Sequence, residues 1–238
     1  MRVGDGLAAG NANWTFGGDV AKQFDDHVAK SVPLYNEGHG LSCAVSDFFV
    51  KPDSTVYEIG CSTGVLTCKL SEHNKSKSGA KFIGIDVEDN MISQANEKRK
   101  KLGLDNVTFE VGNALLYEYE PADLIVAYYT VQFIRPSQRQ QLFDLLYNSL
   151  QWGGALVLFE KVRGPDARFQ DMLTSLYSDY KLDQGYDAEE IVSKTRSLKG
   201  VLEPFSTQGN IDLMKRAGFK DIMSIMKYLC FEGFVAIK

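Results

Sequence analysis

The densest chemical signal in this 238-residue chain is the stretch TVYEIGCSTGVLTCKL, Thr55 to Leu70. An acid, Glu58, stands two places before Gly60, and Gly64 closes a turn that runs through Cys61, Ser62 and Thr63. A glycine turn between an apolar strand and a helix lets backbone pass close to a ligand. It also aims the unpaired N–H groups of the helix start at that ligand. A second acid, Asp86, follows Gly64 by 22 residues (86 − 64). A carboxylate roughly 20 residues beyond such a turn is placed to hold a ribose diol.

The turn is not the dinucleotide fingerprint G-x-G-x-x-G, because Ser62 holds the middle glycine's place. Glu58 would serve a pyrophosphate poorly and an amino-acid ammonium well. The ligand inferred is a nucleoside with an amino-acid tail, and S-adenosylmethionine fits that description. Displacement at a sulfonium methyl draws much of its rate from positioning, and needs a strong base only when the acceptor must lose a proton. Accordingly no Ser-His-Asp or Cys-His constellation is visible, and Cys61 reads as a small packing residue. Cys43, Cys61, Cys68 and Cys230 form no C-x-x-C pair, and His27, His39 and His73 are scattered. No metal site or disulfide framework is expected, and a reduced cytoplasmic compartment is the default.

The elements that must position these residues follow from periodicity. The first 20 residues are Gly/Asn-rich and read as irregular. From about Gly17 to Phe49 apolar residues recur at helical spacing, with Pro33 interrupting. Strands are expected at STVYEIG, AKFIGID, VTFEVGN, ADLIVAYYTV and GGALVLFEK. Between them lie the helices GVLTCKLSEH, NMISQANEKRKKLG (capped by Gly103) and SQRQQLFDLLYNSL, with Ser137 as N-cap. Such alternation implies parallel strands joined by right-handed crossovers. The expected fold is α/β, a doubly wound, mostly parallel sheet with an antiparallel C-terminal hairpin (MSIMKYL, FEGFVAIK) and a helical insertion. Four segments are expected: an N-terminal helical cap over 1–49, a ligand-binding core over 50–161, an insertion or lid over 162–206, and a closing helix and hairpin over 207–238.

Composition narrows the partners. The formal net charge of −5 gives no general attraction to nucleic acid or anionic membrane. No apolar run nears the roughly 20 residues of a membrane span, and the N-terminus lacks the apolar core of a secretory signal. A small-molecule substrate is expected, with no direct nucleic-acid partner.

The core resembles the class I S-adenosylmethionine-dependent methyltransferases, with E-x-G-x-x-x-G at Glu58–Gly64 and the ribose acid at Asp86. Over nearly the whole chain it is similar to the carboxy-S-adenosylmethionine synthase family. The matching segments are NWTF, SVPLY, YEIGCSTG, TVQFIRPSQRQQL, GGALVLFEK, GYDAEEI and AGF. That family moves the carboxylate of prephenate onto S-adenosylmethionine, making the donor for a tRNA wobble-uridine modification. The resemblance implies a Rossmann-like methyltransferase fold, a homodimer, and a cofactor site lined by Tyr35, Gly60, Ser62, Asp86, Asn113 and Ala114. Glu58, Cys61, Gly64, Val87 and Tyr128 complete the candidate cofactor residues. Candidates on the substrate side are His39, Tyr129, Tyr177, Tyr180 and Arg196.

Three positions depart from the family pattern. Asn113 stands where an acid is usual, with a carbonyl oxygen able to meet an adenine amino group. Tyr128 replaces an asparagine at the end of the fourth strand. The family's carboxylate-binding arginine falls at Thr195, with Arg196 one place on, a rotation of roughly 100° on a helix. These departures favour methyl transfer to a small acceptor. The alternatives are carboxy-S-adenosylmethionine synthesis with Arg196 as clamp, and a silent cofactor-binding regulatory paralogue. Intact glycines and ribose acid speak against the last.

Overall fold

The computed structural model describes residues 3, 10–14 and 20–238. The irregular N-terminal stretch expected from composition lies mostly outside them. Among the described residues seven strands form one sheet: β1 (Thr55–Ile59), β2 (Lys81–Asp86), β3 (Val107–Val111), β4 (Ala122–Tyr128), β5 (Leu150–Lys161), β6 (Asp221–Tyr228) and β7 (Phe231–Ile237). Their order is β3-β2-β1-β4-β5-β7-β6. The first five are parallel neighbours, and β7 runs antiparallel to both β5 and β6.

Among the described residues eight α-helices accompany them: α1 (Val20–Ser31), α2 (Tyr35–Ser46), α3 (Val65–His73), α4 (Asp89–Leu102), α5 (Pro136–Ser149), α6 (Ala167–Asp183), α7 (Ala188–Ser197) and α8 (Thr207–Ala217). Because side chains alternate along a strand, the central strands must be apolar on both faces. Val56, Phe82, Leu124 and Val126 pack with α2, α3 and α4, through Cys43, Leu66, Leu70 and Ala95. Tyr57, Ile59, Ile125 and Leu158 pack with α5 and α8, through Leu142, Phe143, Leu213 and Met214.

Local chemistry sets most boundaries. Pro33 separates α1 from α2, and Gly103 caps α4 at a left-handed φ of 66°. The expected cap at Ser137 is displaced. The helix starts at Pro136, whose fixed φ suits the first helical position, and Arg135 precedes it without a side-chain cap. Strand β5 begins earlier than expected, at Leu150, because Ala122 pairs there before a register shift.

The insertion is tied across the molecule to the N-terminal helices. The Tyr177 hydroxyl of α6 donates to the Ser31 carbonyl at 2.8 Å, and the Tyr186 hydroxyl lies 3.1 Å from Ser31 Oγ. The backbone N–H groups of Ala12 and Trp14 donate to the carbonyls of Arg196 and Ser197. This set of bonds encloses the space above the carboxyl ends of the strands, where doubly wound sheets bind ligands.

Candidate cofactor and substrate site

The glycine turn leaves β1 with Gly60 at φ 67°, Ser62 at 49° and Gly64 at 74°. What these glycines approach is first the protein itself. A Cβ on Gly60 would overlap the Thr130 side chain, and one on Gly64 would overlap Phe109 and Ala95. Gly60 also lines the large cavity over the sheet, whereas Gly64 does not. Gly64 is therefore closely packed against Phe109 and Ala95. Cys61 is 4% exposed with its Sγ close to Gly84, and burial pushes its thiol well up, consistent with packing.

Asp86 ties two loops together. Its Oδ2 accepts the Ser62 N–H at 2.9 Å and its Oδ1 the Glu88 N–H at 3.0 Å. The Val87 N–H also bears on this carboxylate, and the acceptor capacity left over, of roughly four lone-pair sites in all, is what a ribose diol would use. Burial raises the Asp86 carboxyl, and the Glu88 and Ser62 N–H groups oppose that rise. Glu58 stands in the same wall and accepts the Thr67 hydroxyl; burial pushes its carboxyl up to about 8. Asn113 lines the cavity with its side-chain oxygen already accepting the Leu115 N–H at 2.9 Å, so only its second lone pair is open to a ligand.

Neighbouring strand residues normally face opposite ways. Tyr128 and Tyr129 nevertheless both line the cavity, because Tyr129 leaves β4 in the left-handed region at φ 57°. The Tyr128 hydroxyl is spent on the Tyr35 carbonyl at 2.6 Å, directly over Gly38, where a Cβ would overlap it. The Tyr129 hydroxyl is buried without a partner. His39 packs 4.6 Å from both the Tyr35 and Tyr128 rings. Its Nδ1 lies 3.3 Å from Lys69 Nζ, a donor only, so Nδ1 accepts and Nε2 carries the proton. Burial and Lys69 hold its pKa down to about 3, which makes it a neutral wall residue.

The cavity has a volume of about 930 Å³, near the top of the range of roughly 300–1,000 Å³ for small-molecule sites. It brings together Tyr35, Glu58, Gly60, Cys61, Ser62, Asp86, Val87, Asn113 and Ala114 with Tyr128, Tyr129, His39, Tyr177 and Arg196. Tyr180 stays outside, stacked on Tyr177. Sequence reasoning missed Thr130, Gln132, Arg135, Lys161 and Lys181, all in the wall. Lys161 had a signal: it ends the fifth strand, the edge at which this fold binds ligands. Lys181 had a weaker one, four residues after Tyr177 and so on the same helical face.

A sheet in this order, with a glycine turn and a carboxylate at the ends of its first two strands, defines an enzyme of the methyltransferase fold. The methyltransferase-domain family model matches residues 50–212. Carboxy-S-adenosyl-L-methionine synthase of Campylobacter jejuni is 37% identical over 223 residues, 94% of this chain and 93% of that protein. The Staphylococcus epidermidis protein of that name is 35% identical over 226 residues, covering 94% and 97%. A SAM-dependent methyltransferase from Aquifex aeolicus has the same fold, with a TM-score of 0.61 at 18% identity over 92% of this chain and 97% of that one. The chain belongs to the carboxy-S-adenosyl-L-methionine synthase family, and it is an S-adenosylmethionine-dependent enzyme. Among the described residues no helix is long and apolar enough to cross a membrane.

Proposed function

We propose that the protein makes carboxy-S-adenosylmethionine from S-adenosylmethionine and prephenate. The observation that carries this reading is the position of Arg196. Although one place past the family's arginine, it lines the same cavity as Ser62 and Asp86. Thr195 lines it too, but its hydroxyl is spent on the Ile191 carbonyl at 2.8 Å. A guanidinium in that wall supplies the charge a carboxylate needs, in the planar form suited to a bidentate pair.

Asp86 holds the ribose, Glu58 faces the ammonium, and Asn113 and Ala114 flank the adenine in this reading. An arriving ammonium would draw the Glu58 carboxyl back toward its ionised form. Bound there, S-adenosylmethionine supplies the methyl carbon that exchanges one proton for the carboxyl group of prephenate, with phenylpyruvate and water as the other products. Residues of this chain orient the reactants and exclude water. A cytoplasmic site and a downstream role as donor for tRNA modification belong to the same reading. It involves no direct tRNA contact.

One observation favours plain methyl transfer to a small acceptor instead. Tyr128 fills the space of a smaller residue and is locked to Tyr35. Mass spectrometry after incubation with S-adenosylmethionine and prephenate separates the two. A nucleoside heavier by one CO₂ is expected, and Arg196→Ala should diminish it. Unchanged S-adenosylmethionine under conditions that saturate the protein with cofactor would overturn the synthase reading.

A further inference from the structure

Lys161 and Lys181 form an arrangement that the cofactor does not explain. Lys161 ends β5, and Lys181 lies on α6, only 8% exposed. Both reach the same ring: Lys161 Nζ is 4.3 Å and Lys181 Nζ 4.5 Å from the centroid of Tyr177. Phe231 adds a second face, 5.8 Å from Lys161 Nζ. Tyr177 is itself pinned through its hydroxyl to the Ser31 carbonyl. Among the described residues, neither ammonium makes an ion pair or a side-chain hydrogen bond. Cys230 is the ionisable group whose charge would favour both ammonium groups, and burial raises its thiol pKa, which works against that charge.

Lys161 is half-buried and Lys181 buried, and two ammonium groups partly withdrawn from water without a carboxylate are costly; an anion in the cavity would complete the pair. Aromatic rings offset part of that cost but neutralise nothing. Both side chains line the cavity that holds Asp86 and Arg196. Burial and Lys161 bring Lys181 down to about 8, which a bound anion would reverse.

We infer that Lys161 and Lys181, set about the Tyr177 ring, are the receptor for a carboxylate of the second reactant. The inference rests on the reading that a second small molecule shares the cavity with the cofactor. It assigns a task distinct from that of Arg196, because a reactant with two carboxylates needs two cationic sites. The aromatic wall of Tyr177 and Phe231 suits an unsaturated ring between them.

The test uses the full chain saturated with S-adenosylhomocysteine. Phenylpyruvate, benzoate and succinate are titrated by calorimetry, with methyl phenylpyruvate as the neutral control. Lys161→Met and Lys181→Met keep the apolar stems, so the aromatic pocket stays filled. Each should weaken carboxylate binding by about tenfold to a hundredfold, the scale of a charge-assisted hydrogen bond. Affinity for S-adenosylhomocysteine and for the ester should hold, and Lys→Arg at either place should retain much of the carboxylate affinity. Carboxylate binding that survives both substitutions, or is absent from the unsubstituted protein, overturns the inference. A protein that binds carboxylates through these lysines but forms no carboxylated nucleoside from prephenate sinks the synthase reading alone. One that forms it with an unchanged KM for prephenate in both variants sinks the lysine site alone.

Discussion

Asp86→Ala separates a binding role from a structural one. In the folded protein Asp86 accepts the backbone N–H groups of Ser62 at 2.9 Å and Glu88 at 3.0 Å. A ribose diol would add two more bonds to the same carboxylate. Hydrogen bonds to charged groups contribute roughly 1.5–3 kcal/mol each. Asp86 is partly exposed, so the lower figure applies, and two lost bonds give about 3 kcal/mol, or roughly a hundredfold in Kd. Calorimetry with S-adenosylhomocysteine reads this directly. The lost loop ties should also lower Tm by roughly 4–8 °C, from about 1 kcal/mol each and about 2–4 °C per kcal/mol at this length. Asp86→Asn keeps acceptor capacity and should lose less on both counts. Asp86→Ala protein with cofactor affinity within about threefold of the original, under 1 kcal/mol, would refute the ribose assignment. A fall in Tm without a fall in affinity would leave Asp86 as a loop tie and nothing more.

Two further substitutions probe the walls of the cavity. Gly38→Ala places a methyl group against the Tyr128 hydroxyl, and overpacking of this kind costs about 1–3 kcal/mol. Urea unfolding should show that loss, and adding Tyr128→Phe should recover much of it; strictly additive losses would argue against the contact. Glu160 is buried, and burial outweighs Arg139 and the backbone N–H groups of Gln132 and Val131 to push its carboxyl up to about 8. A raised folded-state pKa means its contribution to stability is present below the unfolded value near 4.5 and is lost as pH rises through about 8. Glu160→Gln should therefore flatten the decline of Tm between those limits, leaving the similar share of Glu58; an unchanged slope would refute the assignment.

The strands, the helices and the antiparallel C-terminal hairpin were legible because the pattern is strongly periodic and the punctuating residues, Pro33 and Gly103 among them, act locally. Asp86 could be singled out from spacing because it ends β2, roughly 20 residues past the glycine turn, whereas Ser62 was named through the family resemblance. The purpose of the glycines was not legible. Gly60 and Gly64 yield to Thr130, Phe109 and Ala95, residues far away in sequence. The shared facing of Tyr128 and Tyr129 was hidden as well, because period-two alternation fails where one residue turns to positive φ. Lys161 and Lys181 meet only through a crossover, a helix and the Tyr177 ring, and no local rule joins them.

The departures from the family pattern are best understood together. Thr195 cannot clamp a carboxylate, and its hydroxyl is turned back onto its own helix. Yet cationic character has not left the cavity, where Arg196, Lys161 and Lys181 all stand. An arginine fork recognises one carboxylate by shape, whereas two ammonium groups act as point charges that tolerate different approach angles. Moving the guanidinium by one helical position therefore alters the geometry of recognition more than its sign. Tyr128 acts in the same direction, since its ring and bonded hydroxyl narrow the space beside Tyr35. On the proposed reading, a cavity that keeps its charge while changing its shape would discriminate among anionic reactants rather than abandon them. That distinguishes a shifted specificity from a lost activity, and it is why carboxylate binding is a sharper probe of this site than turnover alone.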